Sequence, residues 1–552
     1  MRKPKPVKQS KFKRYLSSFN FLGVVVGSVL VFAGFLPTLL PRGWVLQGVL
    51  SAVLFVFGYA IGMVTSHFIR KFRPNELPAG EKQQIKRYTY WILAVVYLVA
   101  LILGFKWQQE VRTLVEQPPE YSLAIIGITS VTFLLAAFLL LISRSIRSLY
   151  SWLKRKINKH IPKAIAYTGA WVITVLVVVG ILNGVILSGS MSLLNQAYGV
   201  KNGTTAEGIV QQTDPHLSGS SQSMIAWDTL GRQGRTFIGQ VPTTAQLSSF
   251  SQAPATQPIR IYSGLESSSS IKDRANLAIA DLKRAGGFDR KVIVVVTTTG
   301  TGWVDEEGVK PIEYMYNGDS AIVSMQYSYL PSSLSFLVDQ QKAKDAGREL
   351  YNAVYNEVLN MPAESRPKVV VFGESLGSYG GESAFSGLAA FKATSDGAVW
   401  AGPPNFNILR KTATADRDPG SPEIRPIFQQ GQNVRFAVTP ADFNNPTTTW
   451  GNPKAAYLEN SSDPIVWWSP SLLFHKPDWL KEPRGADVSP RTRWIPIVTF
   501  WGVSGDMVFS TGVPDGHGHK YGKMPTDAWS YVLPPDGWTQ AKTDALKAEL
   551  SK

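Results

Sequence analysis

The sequence predicts an α-helical transmembrane bundle followed by an α/β domain, a mostly parallel sheet with helices on both faces. Two observations predict it. Apolar segments near 21–40, 45–66, 90–105, 121–143 and 165–189 alternate with charged loops, and beyond residue 256 strand and helix signals alternate. The organisation implied is a five-helix transmembrane domain over 1–190, a linker with an irregular lead-in over 191–255, and a globular domain over 256–552.

Each apolar segment is near the ~20 residues that cross a bilayer, the third being the shortest. The first runs past the length of a signal-peptide core, and Pro41 and Arg42 follow it without a small-residue cleavage pattern. The formal charge of +16 raises the question of a nucleic-acid partner, and its distribution answers against one. Residues 1–18, 67–88 and 144–164 hold 7, 6 and 7 Lys/Arg against only Glu76 and Glu81, which leaves the rest of the chain slightly negative. Basic loops stay on the cytoplasmic side, so the N-terminus is expected inside, and five spans place residues 190–552 outside. Trp44, Trp91, Trp107 and Trp171 fall near span ends, where interfacial aromatics collect. No Asp, Glu, Lys or Arg lies within the span cores, which argues against ion-coupled transport. Lys154, Arg155, Lys156, Lys159 and Lys163 either touch anionic head groups or set topology alone.

In the globular region, Ile259–Tyr262 reads as a strand, and Ile271, Ala275, Ala278 and Leu282 share one helical face begun by Ser270 and Asp273. Residues 292–296 are a branched run suited to a strand covered on both sides. A helix is expected at 336–359, then a strand at 369–372, with short strands near 398–400, 434–438 and 497–500.

Directly after the 369–372 strand stands Gly373-Glu374-Ser375-Leu376-Gly377, the G-x-S-x-G pattern of a nucleophile elbow, in which a tight strand-to-helix turn presents serine. In that context the domain is of the α/β-hydrolase type and Ser375 is the candidate nucleophile. The hydroxyl needs a base, and the acid and histidine should follow it in the chain. Among His216, His475, His517 and His519, the pair in Gly516-His517-Gly518-His519 fits best. Of these His517 is favoured, since the Pro514-Asp515-Gly516 turn can present it at the loop apex, with His519 as a substrate or supporting contact and His475 next in order. Asp463 is the expected acid, with Asp442 and Asp506 as alternatives.

The oxyanion should meet the amide of Leu376 and one from the loop Gly300, Thr301, Gly302 and Trp303. That loop lacks the full pattern and lysine of a phosphate-binding loop. With no cysteine and no H-E-x-x-H, neither a metal nor another cofactor is expected. Trp467 and Trp468, with Leu472, Leu473 and Phe474, line an acyl-binding mouth or lid, or else form core beneath a cap.

Taken together, Gly234-Arg235-Thr236-Phe237, Thr299-Gly300-Thr301-Gly302-Trp303, the serine motif, Ser462-Asp463-Pro464 and Gly516-His517-Gly518-His519 resemble a family of bacterial membrane proteins with an N-terminal multi-span region and a C-terminal α/β-hydrolase domain. The resemblance implies a bacterial inner or plasma membrane location. The function expected is serine-dependent hydrolysis of an ester in a lipid or cell-envelope component, with acyl transfer to an envelope alcohol, or a non-enzymatic scaffold on the same fold, as alternatives. The partners expected are the bilayer and that lipid-linked substrate, with self-association through the transmembrane region.

Overall fold

The computed structural model describes residues 19–72, 78–159, 161–181 and 188–552. The basic segment 1–18, residues 73–77 of the next basic loop and residues 182–187 of the fifth apolar segment lie outside the described residues. The chain forms two compact units, the first of residues 1–183, 470–476 and 487–506, the second of residues 184–469, 477–486 and 507–552. Two short pieces from beyond residue 469 thus join the first unit, which the expected linear division did not include.

Among the described residues, four helices of the first unit are long and apolar enough to cross a membrane: Trp44–Phe72, Ala79–Leu114, Ala124–Ile157 and Lys163–Gly180. Trp91, Leu134 and Trp171 are exposed on them, a surface suited to hydrocarbon. The first of the five expected spans is the 14-residue helix Phe21–Gly34, about 21 Å long at 1.5 Å per residue and so shorter than the ~30 Å hydrocarbon core. It packs tightly on its neighbour because both carry glycines four apart. A Cβ on Gly62 would lie 2.7 Å from Gly23 Cα, and one on Gly58 would lie 2.7 Å from Gly27 Cα. Small residues let the two backbones touch where no hydrophobic effect drives helices together. Behind this hairpin, Arg42 is buried and donates to Gly34 O, Leu36 O, Thr38 Oγ1 and Gln47 Oε1. Its Nε lies 3.3 Å from Asp506 Oδ1, while Asp506 Oδ2 accepts the amides of Leu39 and Leu40.

The second unit is built on seven parallel strands: β1 Ile259–Ser263, β2 Val292–Thr297, β3 Ser320–Met325, β4 Lys368–Glu374, β5 Gly397–Ala401, β6 Val434–Ala437 and β7 Lys454–Leu458. Their order is β1-β3-β2-β4-β5-β7-β6. Helices Ile271–Arg284, Gln340–Leu359 and Leu376–Glu382 form one packed layer, and Glu306–Met315, Met524–Val532 and Gln540–Glu549 another. The strands are therefore buried along their length, as a parallel sheet requires.

Within residues 191–255, expected as a linker with an irregular lead-in, Leu217, Ile225, Leu230, Phe237, Ile238 and Leu247 join this core. The helix expected over 336–359 is two helices, Ser332–Val338 and Gln340–Leu359, broken at Asp339. Residues 497–500 are not a strand: Ile497 is in a turn and 498–500 open the helix Val498–Val508, where Thr499 Oγ1 accepts the amide of Ile495 at 2.7 Å.

Candidate active site

β4 ends at Glu374, and Ser375 follows with φ 55° and ψ −126°, a conformation that L residues adopt only when surroundings enforce it. Its amide donates to Ala401 O of β5 at 2.9 Å, and its carbonyl accepts from Ser378 Oγ at 2.6 Å. The motif glycines are needed for close approach: a Cβ on Gly373 would collide with Gly377 O, and one on Gly377 with Thr297 O at the end of β2.

The base and acid come from loops beyond the neighbouring strands. Asp463, fully buried, caps the short helix Pro464–Trp467 through Oδ1 and the amide of Ile465 at 2.8 Å. Its Oδ2 accepts from Tyr521 Oη at 2.7 Å and lies 2.7 Å from Nδ1 of His519. The loop is sewn down on both sides of that histidine, since Gly518 N donates to Ser462 Oγ at 2.8 Å and Asn460 Nδ2 donates to Gly518 O at 2.9 Å and to Lys520 O at 3.2 Å. The His519 ring lies over Gly402, where a Cβ would strike it, and Gly402 directly follows the Ala401 carbonyl that holds the Ser375 amide. The serine and the imidazole thus flank one stretch of backbone at the carboxyl ends of β4 and β5. With Nδ1–H directed to the carboxylate, Nε2 carries the lone pair, and this buried nitrogen has no hydrogen-bond partner among the described residues.

The preference for His517 over His519 does not match this geometry. His517 is half-buried in a tight turn, its amide donating to Pro514 O and its carbonyl accepting from Lys520 N. His216 pairs with Asp214 beside β1, three strands from β4 in the sheet, and His475 is an exposed residue of the first unit. Neither alternative acid fits either. Asp442 caps its own turn through Val438 N and Thr439 N, and Asp506 belongs to the first unit with Arg42.

Leu376 opens the helix after the serine, and its amide meets no acceptor among the described residues. In the facing loop, Gly302 N is already spent on Thr299 O at 2.9 Å, which removes it as a donor. The loop is held by Tyr262 Oη on Gly302 O and Gln326 Nε2 on Thr301 O. The amides of Gly300, Thr301 and Trp303 meet no acceptor among the described residues.

Trp467 is core, not mouth: it is buried, donates from Nε1 to Asn460 O at 3.1 Å and packs on Trp479. Trp468 stands differently, edge-on to Phe336 in an apolar cluster with Leu376, Ile465, Tyr379 and Phe406. Leu472, Leu473 and Phe474 belong to the first unit. The residues that sequence reasoning missed are Tyr521, Asn460 and Ser462, whose only signal was closeness in the chain to His519 and Asp463.

A parallel sheet bearing a serine elbow on one strand end, with a buried aspartate–histidine pair beside it, defines a chain of the α/β-hydrolase class. The chain belongs to the alpha/beta-hydrolase family: the family model matches residues 259–546, and the model of the alpha/beta-hydrolase family N-terminus matches residues 35–242. No curated protein and no solved structure gives a significant match.

Proposed function

We propose that the chain is a membrane-associated serine hydrolase that cleaves an acyl ester through an acyl-enzyme. The observation that carries this reading is His519 Nε2, a buried acceptor without a partner beside the serine turn, oriented through Nδ1 by Asp463. A buried nitrogen left unpaired costs free energy, and a base awaiting the serine or substrate proton accounts for that cost. His519 takes the Ser375 proton as Oγ attacks the ester carbonyl. Asp463 stabilises the imidazolium, and the amides of Leu376 and the Gly300–Trp303 loop receive the oxyanion. The imidazolium then protonates the leaving alcohol. Water completes hydrolysis, and an alcohol acceptor completes acyl transfer.

An acyl chain is the substrate part favoured by the cluster of Phe336, Phe406, Trp468 and Ile465 against Leu376. Apolar helices in the same chain would keep the enzyme near lipid or lipid-linked envelope esters. A fluorophosphonate probe should label the purified full chain and fail to label Ser375→Ala. A well-folded wild type that stays unlabelled would point instead to a scaffold or binding module.

The catalytic unit is proposed to face away from the cytoplasm of a bacterial cell. Gln83 and Ser269 are both exposed, and three crossings by the long helices between them would put the two on opposite sides whether or not the short first helix crosses. In intact cells, a membrane-impermeant maleimide should therefore label Ser269→Cys and spare Gln83→Cys. The reverse pattern, or labelling of both, rejects the orientation.

A further inference from the structure

The helix Leu376–Glu382 that follows the nucleophile ends in a buried glutamate, on which donors from two other parts of the fold converge. Leu409 N donates to Glu382 Oε1 at 2.6 Å, while Tyr457 Oη of β7 and Asn407 Nδ2 donate to Oε2 at 2.6 and 3.1 Å. Leu409 lies in the first turn of the helix Ile408–Ala415, whose N-cap residue Asn407 makes no side-chain bond to it. Glu382 therefore caps that helix from another element, and a helix N-terminus favours a negative partner. The neighbouring base Arg410 is engaged elsewhere, with Glu459 at 2.8 and 3.1 Å. Burial raises the Glu382 carboxyl, and the donors from Tyr457, Leu409 and Asn407 oppose that rise.

Not used as a cap, the Asn407 amide turns towards the nucleophile helix. Its Nδ2 also donates to Ser378 Oγ at 3.4 Å, while its buried Oδ1 has no partner among the described residues. Leaving a buried amide oxygen unpaired costs free energy, so this orientation is imposed, and the carboxylate of Glu382, which only accepts, imposes it. With a donor on its oxygen, the Ser378 hydroxyl keeps its own proton for Ser375 O, 2.6 Å away. That carbonyl also accepts the amides of Ser378 and Tyr379. Of the three donors only the hydroxyl can turn away, and Ser375 is the residue whose φ of 55° has to be held.

We propose that Glu382 is a positioning residue for acylation, acting through Asn407 and Ser378 to hold the strained turn at Ser375. The inference rests on the hydrolase reading above. Each hydrogen bond of the relay has a direction, so an isosteric change at its far end reaches the serine. In Glu382→Gln the side-chain oxygen must stay on Leu409, because a backbone N–H cannot turn. The new NH2 then faces Asn407, whose amide flips to accept from it, and the flipped oxygen draws the Ser378 proton away from Ser375 O.

A double-mutant cycle between residues 382 and 378 tests the relay, read as single-turnover acylation of the purified full chain by a p-nitrophenyl ester, with thermal melts beside it. Glu382→Gln should acylate ~10-fold more slowly than wild type with unchanged apparent affinity for the ester, since the serine is displaced and the substrate's own contacts are not. Ser378→Ala should lose a similar factor. In the Ser378→Ala background no hydroxyl remains to be diverted, so adding Glu382→Gln should cost less than ~2-fold more. A glutamate that only supports the fold would lose the same factor in both backgrounds. That additive result, or a Glu382→Gln rate equal to wild type, overturns the relay. If Glu382→Gln does not fold, Asn407→Ala, which removes the donor on Ser378, enters the same cycle under the same criterion. A wild type that does not acylate overturns the hydrolase reading and the positioning role with it, whereas an active wild type with an additive cycle overturns the positioning role alone.

Discussion

His519→Ala is expected to slow acylation of the purified chain by ~10³- to 10⁴-fold, while His517→Ala stays within a few-fold of wild type. In the proposed mechanism the first variant removes the acceptor for the serine proton together with the cation that Asp463, 2.7 Å from Nδ1, would stabilise. The second removes a side chain from a half-buried turn whose backbone bonds, to Pro514 and Lys520, survive. Asp463→Asn should fall nearly as far as His519→Ala, because an amide in place of the carboxylate no longer fixes the Nδ1–H tautomer. Melts run beside the kinetics separate chemistry from folding, since Tyr521 still reaches residue 463 in the histidine variant. An inert His517→Ala beside a fully active His519→Ala would sink the assignment.

The second large effect is on stability. Asp506→Ala should destabilise the first unit by about 3–5 kcal/mol, the usual cost of leaving one member of a buried ion pair alone. Arg42 would remain buried, and the amides of Leu39 and Leu40 would lose their acceptor. Arg42→Met combined with Asp506→Leu should cost less than either single change, because no uncompensated charge is left behind. Unfolding of the full chain in detergent measures this, and the rate per folded molecule should stay at the wild-type value. A variant that melts normally yet does not acylate would return Asp506 to the acid's role.

Strands were legible where branched residues run unbroken, as in Val292–Thr297 and Lys368–Glu374, because such runs suit a strand buried on both faces. β3 and β7 went unread for a physical reason. Ser320–Met325 mixes serines with its apolar residues and Lys454–Leu458 holds two alanines, so burial comes from the strands on either side more than from their own hydrophobicity. Residues 497–500 misled in the opposite sense, since Ile497, Val498 and Thr499 favour a strand while the fold places them at a helix start. The turn at Ser375 was legible because its motif is local, and Asp463 as the candidate acid because chain order restricts it. The histidine was not, because Gly516 and Gly518 adopt φ 84° and 50° and bend the loop, so that two-residue alternation no longer tells which ring turns inward.

The pin of Arg42 on Asp506 also sets a timetable for biosynthesis. Thr38 and Asp506, joined within that pin, are 468 residues apart. At 5–20 residues per second, Asp506 follows roughly 20 to 90 s after the first hairpin leaves the ribosome. Throughout that interval Arg42 has its carbonyl and side-chain amide partners but no carboxylate. The helices can enter the bilayer early, yet their unit closes only after Asp506 has been made. A stop codon anywhere between 191 and 505 would therefore leave a membrane fragment with an unneutralised guanidinium, a marked substrate for quality-control proteolysis.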